Sequence, residues 1–238
     1  MTLGWVLHRR EKDMKHDSFN ESAEMYLKTV SELAVAGDPV PISALAGRLG
    51  VSPVSATEMV HRLQDHGLVD HRPYKGISLT ADGYRQAADV IRSHRLWERF
   101  LVDQLGLPWD SAHAFACRLE HASDPQVTEA LDRFLGRPAT CPHGNPIPTA
   151  TGTLGEPDDQ PLADMNPTDS AIVTRVHPES DDLLTYLADL DLMIGCRVTL
   201  LDIVPFGGPL VLQVNGEQRY MGREAAERVY IQCTEAAQ

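Results

Sequence analysis

The apolar positions of residues 20–36, NESAEMYLKTVSELAVA, fall at Met25, Leu27, Val30, Leu33 and Ala34, the spacing of one helical face, with Asn20 or Ser22 where an N-cap is favoured. Gly37, Pro39 and Pro41 end that helix. A second helical period covers Ile42 to Leu49 with Ser43 as its cap, and the Gly50-Val51-Ser52-Pro53 turn leads into a third over Val54 to His66. Two short helices joined by a glycine-containing turn predict a helix-turn-helix, whose second helix would enter the major groove of DNA. Near the start of that helix the exposed groups would be Ser52, Pro53, Ser55, Ala56, Thr57 and Glu58, with Arg62 one turn on, small or polar groups that can approach base edges and phosphates. Leu68–His71 and Gly76–Thr80 then read as two strands around Arg72-Pro73-Tyr74-Lys75, a wing whose basic tip, Arg72 and Lys75, would meet the phosphate backbone.

Thr80 caps a long fourth helix, Ala81 to Leu105, which Gly106-Leu107-Pro108 breaks; Asp110 opens a fifth that ends near His121, and a sixth spans Pro125 to Leu135. Leu96, Trp97, Phe100, Leu101, Phe115 and Leu119 exceed what one helical hairpin can bury on itself, so a self-complementary dimer face is expected. Residues 136–169 hold seven of the sixteen prolines and read as an irregular connection and a linker. Beyond it, Ala171–Val176, Arg197–Val204, Leu210–Val214, Gln218–Met221 and Val229–Cys233 read as short strands, with a helix at Asp181–Leu187 and a hairpin turn at Asn215-Gly216. Five short strands suggest a small barrel. The fold class is thus mostly α with a small β part.

The chemistry concentrates in the fourth and fifth helices. At about 100° per residue, His113, Cys117, Glu120 and His121 fall within an arc of roughly 100° on one helical face. His94 and Glu98 share a face of the preceding helix at i and i+4. Taken singly, a histidine on an apolar helix is usually a hydrogen-bonded structural residue, and a cysteine among apolar neighbours a small buried hydrophobe. Six donors of metal-ligand type on two adjacent helices would instead leave buried charge unpaired without a divalent cation.

Charge and cysteine usage refine this picture. The net charge is −13, which by itself disfavours a nucleic-acid partner, yet residues 40–100 carry eight Lys and Arg against six Asp and Glu, and residues 101–238 carry eight against twenty-one. One end is suited to DNA and the other is acidic. Cys117, Cys141, Cys196 and Cys233 are far apart and form no disulfide framework, which leaves Cys117 available as a thiolate ligand. The chain has no apolar run long enough to cross a membrane and its N-terminus lacks a signal pattern, so a cytosolic protein is expected.

Several stretches together resemble a known family: EMYLKTV at 24–30, LVDHRPYKGISLT at 68–80, SHRLWERFL at 93–101, HAFACRLEH at 113–121 and HGNPIP at 143–148. They are similar to the diphtheria toxin repressor and iron-dependent regulator family of metal-activated transcription repressors, over nearly all of residues 20–150. The resemblance implies a winged helix-turn-helix DNA-binding domain over 1–88, a helical metal-binding and dimerisation domain over 89–150, a linker over 151–168 and an SH3-like, ferrous-transport-A-like domain over 169–238. It further implies a primary, activating metal site on Met25, Cys117, Glu120 and His121. An ancillary site would fall on His94, Glu98 and His113, completed from the barrel by Glu179, with His177 or Asp182 as alternatives. Arg95 and Asn145 match positions that hold an anion in the family, while Cys141 stands where a serine is usual.

Met25 would lie on the first helix and its partners on the dimerisation domain, so one ion would clamp the two and order the DNA-reading helix. Sulfur donors favour iron(II), cobalt, nickel or zinc over manganese, whose relatives put oxygen at the positions of Met25 and Cys117. The leading expectation is therefore a homodimeric, iron(II)-activated repressor of iron-uptake genes that binds palindromic operator DNA. A manganese-responsive repressor is the alternative, with cobalt(II), nickel(II) or zinc(II) also able to bind the purified protein. A metalloenzyme is a rival without an H-E-x-x-H motif or an identifiable spare base, and the barrel alone would suit a module of an iron transporter.

Overall fold

The computed structural model describes residues 21–34 and 38–233; the proposed Asn20 cap, the end of the first helix at residue 36 and the reading of the N-terminus lie outside them. The described chain forms two compact units, one built from residues up to Ile91 with Pro148–Thr153, the other from Arg92–Ile147 and Leu154 onward.

In the first unit, residues 21–33 form helix α1, followed by α2 (Ile42–Leu49) and α3 (Pro53–Asp65). Gly50 closes α2 in the left-handed conformation at φ +67°, and the Ser52 hydroxyl caps α3 by accepting the Ser55 N–H at 3.1 Å, with Pro53 at the first helical position. The helix thus starts one residue earlier than the sequence pattern indicates. Strands β1 (Val69–Arg72) and β2 (Gly76–Leu79) pair antiparallel as the wing, and Val40 adds an isolated bridge to Ile77, with N–H···O distances of 2.8 and 2.9 Å. A Cβ at Gly76 would meet the Val40 carbonyl oxygen at 2.7 Å, which explains the glycine there. Leu27, Val30, Leu45, Ala56, Val60, Leu63, Val69 and Ile77 form the core. Each fully buried leucine or isoleucine contributes about 1.5–3 kcal/mol. Ala56, expected on the exposed face of α3, is completely buried, because the face that packs on α2 takes the small residue.

The second unit starts within α4 (Ala81–Asp103), whose N-terminal N–H groups are capped by Thr80, its hydroxyl accepting from Gly83 at 3.1 Å. α5 (Ala112–Leu119) and α6 (Pro125–Phe134) follow; Asp124 caps α6 through Gln126 N–H at 2.7 Å. Leu96 packs with Leu131 and Ile147, and Leu101 with Ala112 and Ala116. These two leucines, assigned by the sequence pattern to a dimer face, are therefore buried within their own chain, while Phe115, Val127 and Phe134 are exposed.

The C-terminal sheet contains β3 (Gln160–Pro161), β4 (Ser170–Val176), β5 (Arg197–Ile203), β6 (Leu210–Val214), β7 (Glu217–Met221) and β8 (Val229–Cys233), with helices α7 (Asp181–Asp189) and α8 (Arg223–Ala226). The strand order is β3-β8-β4-β5-β6-β7, antiparallel throughout. Among the described residues β3 and β7 do not pair, so this SH3-like layer is an open six-stranded sheet rather than a closed five-stranded barrel. Asn215 and Gly216, at φ +51° and +86°, make the two-residue turn between β6 and β7. Residues 160–165, within the stretch read as a linker, supply a strand and a short 3-10 turn whose Leu162, Ala163 and Met165 join the sheet's core.

Candidate metal centre

The 3.6-residue period of α4 brings His94 and Glu98 to the same face, both almost completely buried. His94 Nε2 lies 2.9 Å from Glu98 Oε1, His113 Nδ1 of α5 lies 3.0 Å from the same oxygen, and the two imidazole nitrogens are 3.1 Å apart. Three donors at the corners of a triangle with edges near 3 Å match one face of an octahedron whose centre-to-ligand distance is about 2.1 Å, the usual length of a bond from a first-row divalent ion to nitrogen or oxygen. Two histidines and a carboxylate in that arrangement are a facial triad. Glu179, just before α7, brings a fourth donor within 4.8 Å of the other three. Asp182, one of its alternatives, is exposed in the first turn of α7, and His177 faces Glu179 at 3.9 Å.

A second donor set shares two of these carboxylates: Glu98, Cys141, His143 and Glu179 also lie within 4.8 Å of one another, all buried. Sequence reasoning missed His143 and assigned Cys141 only as a departure from an anion pocket. The available signal was the Cys-Pro-His spacing, which puts two donors in one tight loop. That loop is held from several sides. Arg99 donates to the Thr140 and Cys141 carbonyls at 2.7 and 3.1 Å, Trp109 Nε1 to the Pro142 carbonyl at 3.0 Å, and Val176 N–H to the His143 carbonyl at 2.9 Å. Gly144, at φ +85°, allows the close approach to β4, since a Cβ there would sit 1.9 Å from the Thr174 carbonyl oxygen.

The His143 ring reveals how well a cation fits. Its Nε2 is 3.0 Å from the Trp109 carbonyl, which can only accept, so Nε2 carries the proton. Nδ1 is then left facing Glu98 Oε1 at 3.2 Å, two lone pairs aimed at each other unless a proton or a metal ion lies between. Glu98 Oε2 is buried with no hydrogen-bond partner among the described residues. The groups of the site share protons among themselves. Burial lowers the His143 imidazole, but Glu98 and Cys141 outweigh it and raise it well above the ordinary value. His113 is likewise lowered by burial and raised more by Cys117 and Glu98, to about 9. Glu98 is raised by burial, yet His94, His143 and His113 bring it well below the usual carboxylate range. A divalent ion would replace these protons with charge of the same sign.

The residues expected at a primary site are placed differently. α5 ends at Leu119, so Glu120 and His121 lie in a 3-10 turn, Glu120–Ala122, and not on a continuous α-helix with His113. Glu120 Oε1 is 3.2 Å from His121 Nε2, and Glu120 Oε2 contacts His94 Nδ1. Cys117 converges with His94 and His113, its sulfur 3.8 Å from His113 Nε2; within 4.8 Å, no set of described residues joins it to Glu120 and His121. Met25 is half-buried on α1 of the first unit. Arg95 and Asn145, matched to an anion by resemblance, are occupied inside the chain: Asn145 Nδ2 donates to Glu179 Oε2 at 2.9 Å, and Arg95 donates to the Pro146 carbonyl. Burial raises the Glu179 carboxyl, but His177, Arg95 and His143 bring it far below the ordinary range against the opposing charge of Glu98.

In the first unit, Ser52, Pro53, Ser55, Glu58, Arg62, Arg72 and Lys75 are exposed, and Thr57 is partly buried with its hydroxyl donating to the Pro53 carbonyl at 2.7 Å. Tyr74, at the wing tip, is fully exposed at φ +64°.

Three segments match family descriptions: residues 18–77 the iron dependent repressor N-terminal DNA binding domain, residues 80–149 the iron dependent repressor metal binding and dimerisation domain, and residues 160–233 the FeoA domain. The chain is 35% identical over 224 residues to the iron-dependent repressor IdeR of Mycobacterium tuberculosis, covering 89% of this chain and 97% of that protein. It is 29% identical over 222 residues to the diphtheria toxin repressor of Corynebacterium diphtheriae, with the same coverage. Among solved structures, a manganese-dependent transcriptional repressor in complex with manganese has a TM-score of 0.81 at 33% identity, covering 89% of this chain and all of that one. ScaR with bound Zn2+ has a TM-score of 0.78 at 33% identity, covering 88% and 98%.

Proposed function

The chain belongs to the iron-dependent repressor family of metal-dependent transcriptional repressors, and on that footing we propose that iron(II) is its activating ion, its ligand a palindromic operator and its working form a cytoplasmic homodimer that controls iron-uptake genes. The observation that carries the metal reading is the buried triangle of His94 Nε2, Glu98 Oε1 and His113 Nδ1. Nitrogen and oxygen donors of that number suit iron(II), cobalt(II) and manganese(II) alike, and the preference for iron rests on the sulfur of Cys117 and Met25.

In this reading His94, Glu98, His113 and Glu179 hold the ancillary ion, with Cys141 and His143 as a second donor set on the same two carboxylates. Cys117, Glu120, His121 and, from the sequence resemblance, Met25 hold the primary ion. A bound ion supplies positive charge in place of the protons on these groups. The protein's own work is then positional: the loop carrying Cys141 and His143 is pinned by Arg99 and Trp109, and Glu179 is held by Asn145. Ser52, Pro53, Ser55, Thr57, Glu58 and Arg62 of α3 face base edges and sugar-phosphate, and Arg72 and Lys75 of the wing meet phosphates. Phe115, Val127 and Phe134 form part of the dimer face. No helix among the described residues is long and apolar enough to cross a membrane.

A mobility-shift assay on operator fragments tests this. Retention should need added iron(II) and vanish with chelator, and binding indifferent to both would end the sensor reading. The manganese-bound relative keeps a manganese-responsive version in view, and activation by both ions at equal free concentration separates the two.

A further inference from the structure

The first two turns of α3 present few side chains outward, and their contacts sort them. Ala56, Val60 and Leu63 face the core, so at about 100° per residue the line furthest from it runs through Val54, Glu58 and His61. His61 leans toward the wing, its ring beside that of His71 on β1 with centroids 5.7 Å apart. The three hydroxyls near the helix start are turned back on it: Thr57 donates to the Pro53 carbonyl at 2.7 Å, and the Ser52 and Ser55 oxygens face each other at 2.9 Å. Two outward side chains remain. Val54 is 69% exposed, and Glu58 is exposed with no hydrogen bond or ion pair among the described residues.

An unpaired carboxylate on a helix that approaches phosphates costs affinity through repulsion unless it meets a donor. A carboxylate only accepts, and the major groove offers it two amino groups, cytosine N4 and adenine N6. Adenine sets its N7 lone pair beside that amino group, against the second carboxylate oxygen, whereas cytosine has a C5–H there. Cytosine is therefore the better partner. Val54 has no polar side-chain atom, and the apolar group that the major groove offers is the thymine methyl. Its place one turn before Glu58 separates the two side chains by about 6 Å along the helix axis, close to two base steps of roughly 3.4 Å. Resting on the operator-binding reading above, we propose that Glu58 reads a cytosine of each half-site through its N4 amino group, and that Val54 meets a thymine methyl about two base steps away. The hydroxyls of Ser52, Ser55 and Thr57 then set the approach of the helix rather than the choice of base.

The test is selection from a random duplex library by the full-length protein with iron(II) under anaerobic conditions, followed by fluorescence anisotropy on the selected duplex and its single-base variants. Wild type should select a two-fold repeated motif with cytosine in one column of each half and thymine about two steps away. The amide of Glu58→Gln can donate to adenine N7 and accept from N6. That variant should select adenine in the cytosine column and keep the rest of the motif, each protein preferring its own base by roughly tenfold or more. Replacing the thymine by deoxyuridine removes only the methyl group, and should weaken wild type about fourfold while leaving Val54→Ala nearly unchanged. Both side chains are exposed, so neither substitution reaches the core. Identical base preferences of Glu58→Gln and wild type at every column, or a wild-type motif without cytosine in the column that changes, overturns the inference, and wild-type indifference to deoxyuridine overturns the Val54 contact. If wild type with iron(II) selects no two-fold motif at all, the operator-binding reading has failed and the base assignment with it.

Discussion

Glu98→Gln isolates the charge on which the metal centre depends. Glu98 faces three imidazoles at 2.9–3.2 Å and is itself fully buried, and it helps hold His113 at about 9 against an ordinary 6.5. A raised folded-state value means that folding takes up a proton. That stabilisation is complete below about pH 6.5 and is lost as pH rises through about 9. For His113 alone it amounts to about 2–3 kcal/mol at neutral pH, and His143, raised by the same carboxylate, adds to it. Metal-stripped wild type should therefore lose at least that much stability between about pH 6 and pH 10 in urea unfolding followed by the fluorescence of Trp97 and Trp109. Glu98→Gln should be less stable at low pH and lose less across the interval, its remaining slope set by Cys117 at His113 and Cys141 at His143. Saturating iron(II) or cobalt(II) should reverse the slope in wild type, because the ion competes with protons and gains as they leave. A variant that keeps the wild-type slope would refute the claim that Glu98 organises the imidazoles.

Gly144→Ala forces a Cβ toward the Thr174 carbonyl at a positive φ and should displace the loop of Cys141 and His143, lowering cobalt stoichiometry in equilibrium dialysis while the DNA-binding unit stays folded by circular dichroism. Lys75→Ala at the wing should weaken operator binding across all sequences and reduce the slope of log affinity against log salt by about one. Met25→Asp with Cys117→Glu replaces both sulfur donors by oxygen and should shift activation toward manganese in a mobility-shift comparison at equal free ion.

The helical part of the fold was legible because periodicity and breakers agreed, and Thr80 caps the fourth helix as expected; Ser43, expected to cap the second, lies inside it with Pro41 at the N-cap position, and Ser52 and Asp124 supply caps that the pattern did not assign. The pairing of His94 with Glu98 was legible for the same reason, since one helical turn fixes which residues share a face; periodicity put His113 with Cys117, Glu120 and His121, and only the resemblance joined it to His94 and Glu98. Glu179 could be named only through the resemblance, because its approach depends on a loop between sheet and helix that has no period. His143 was missed because its role comes from a pinned turn and from a tautomer set by the Trp109 carbonyl, neither of which leaves a spacing rule in the chain. The sheet's failure to close was equally hidden, since strand propensity gives the number of strands better than the pairing at the borders.

The open sheet has a practical consequence. Its two borders would invite a neighbouring chain to add a strand, yet β3 is only Gln160–Pro161, with a proline that offers no N–H. The other border, β7, begins Glu217-Gln218-Arg219, and Arg219 is tied to Glu217 and Asp191 at 2.6 and 2.8 Å. A short proline-ended rim and a charged one both resist edge-to-edge growth of the sheet.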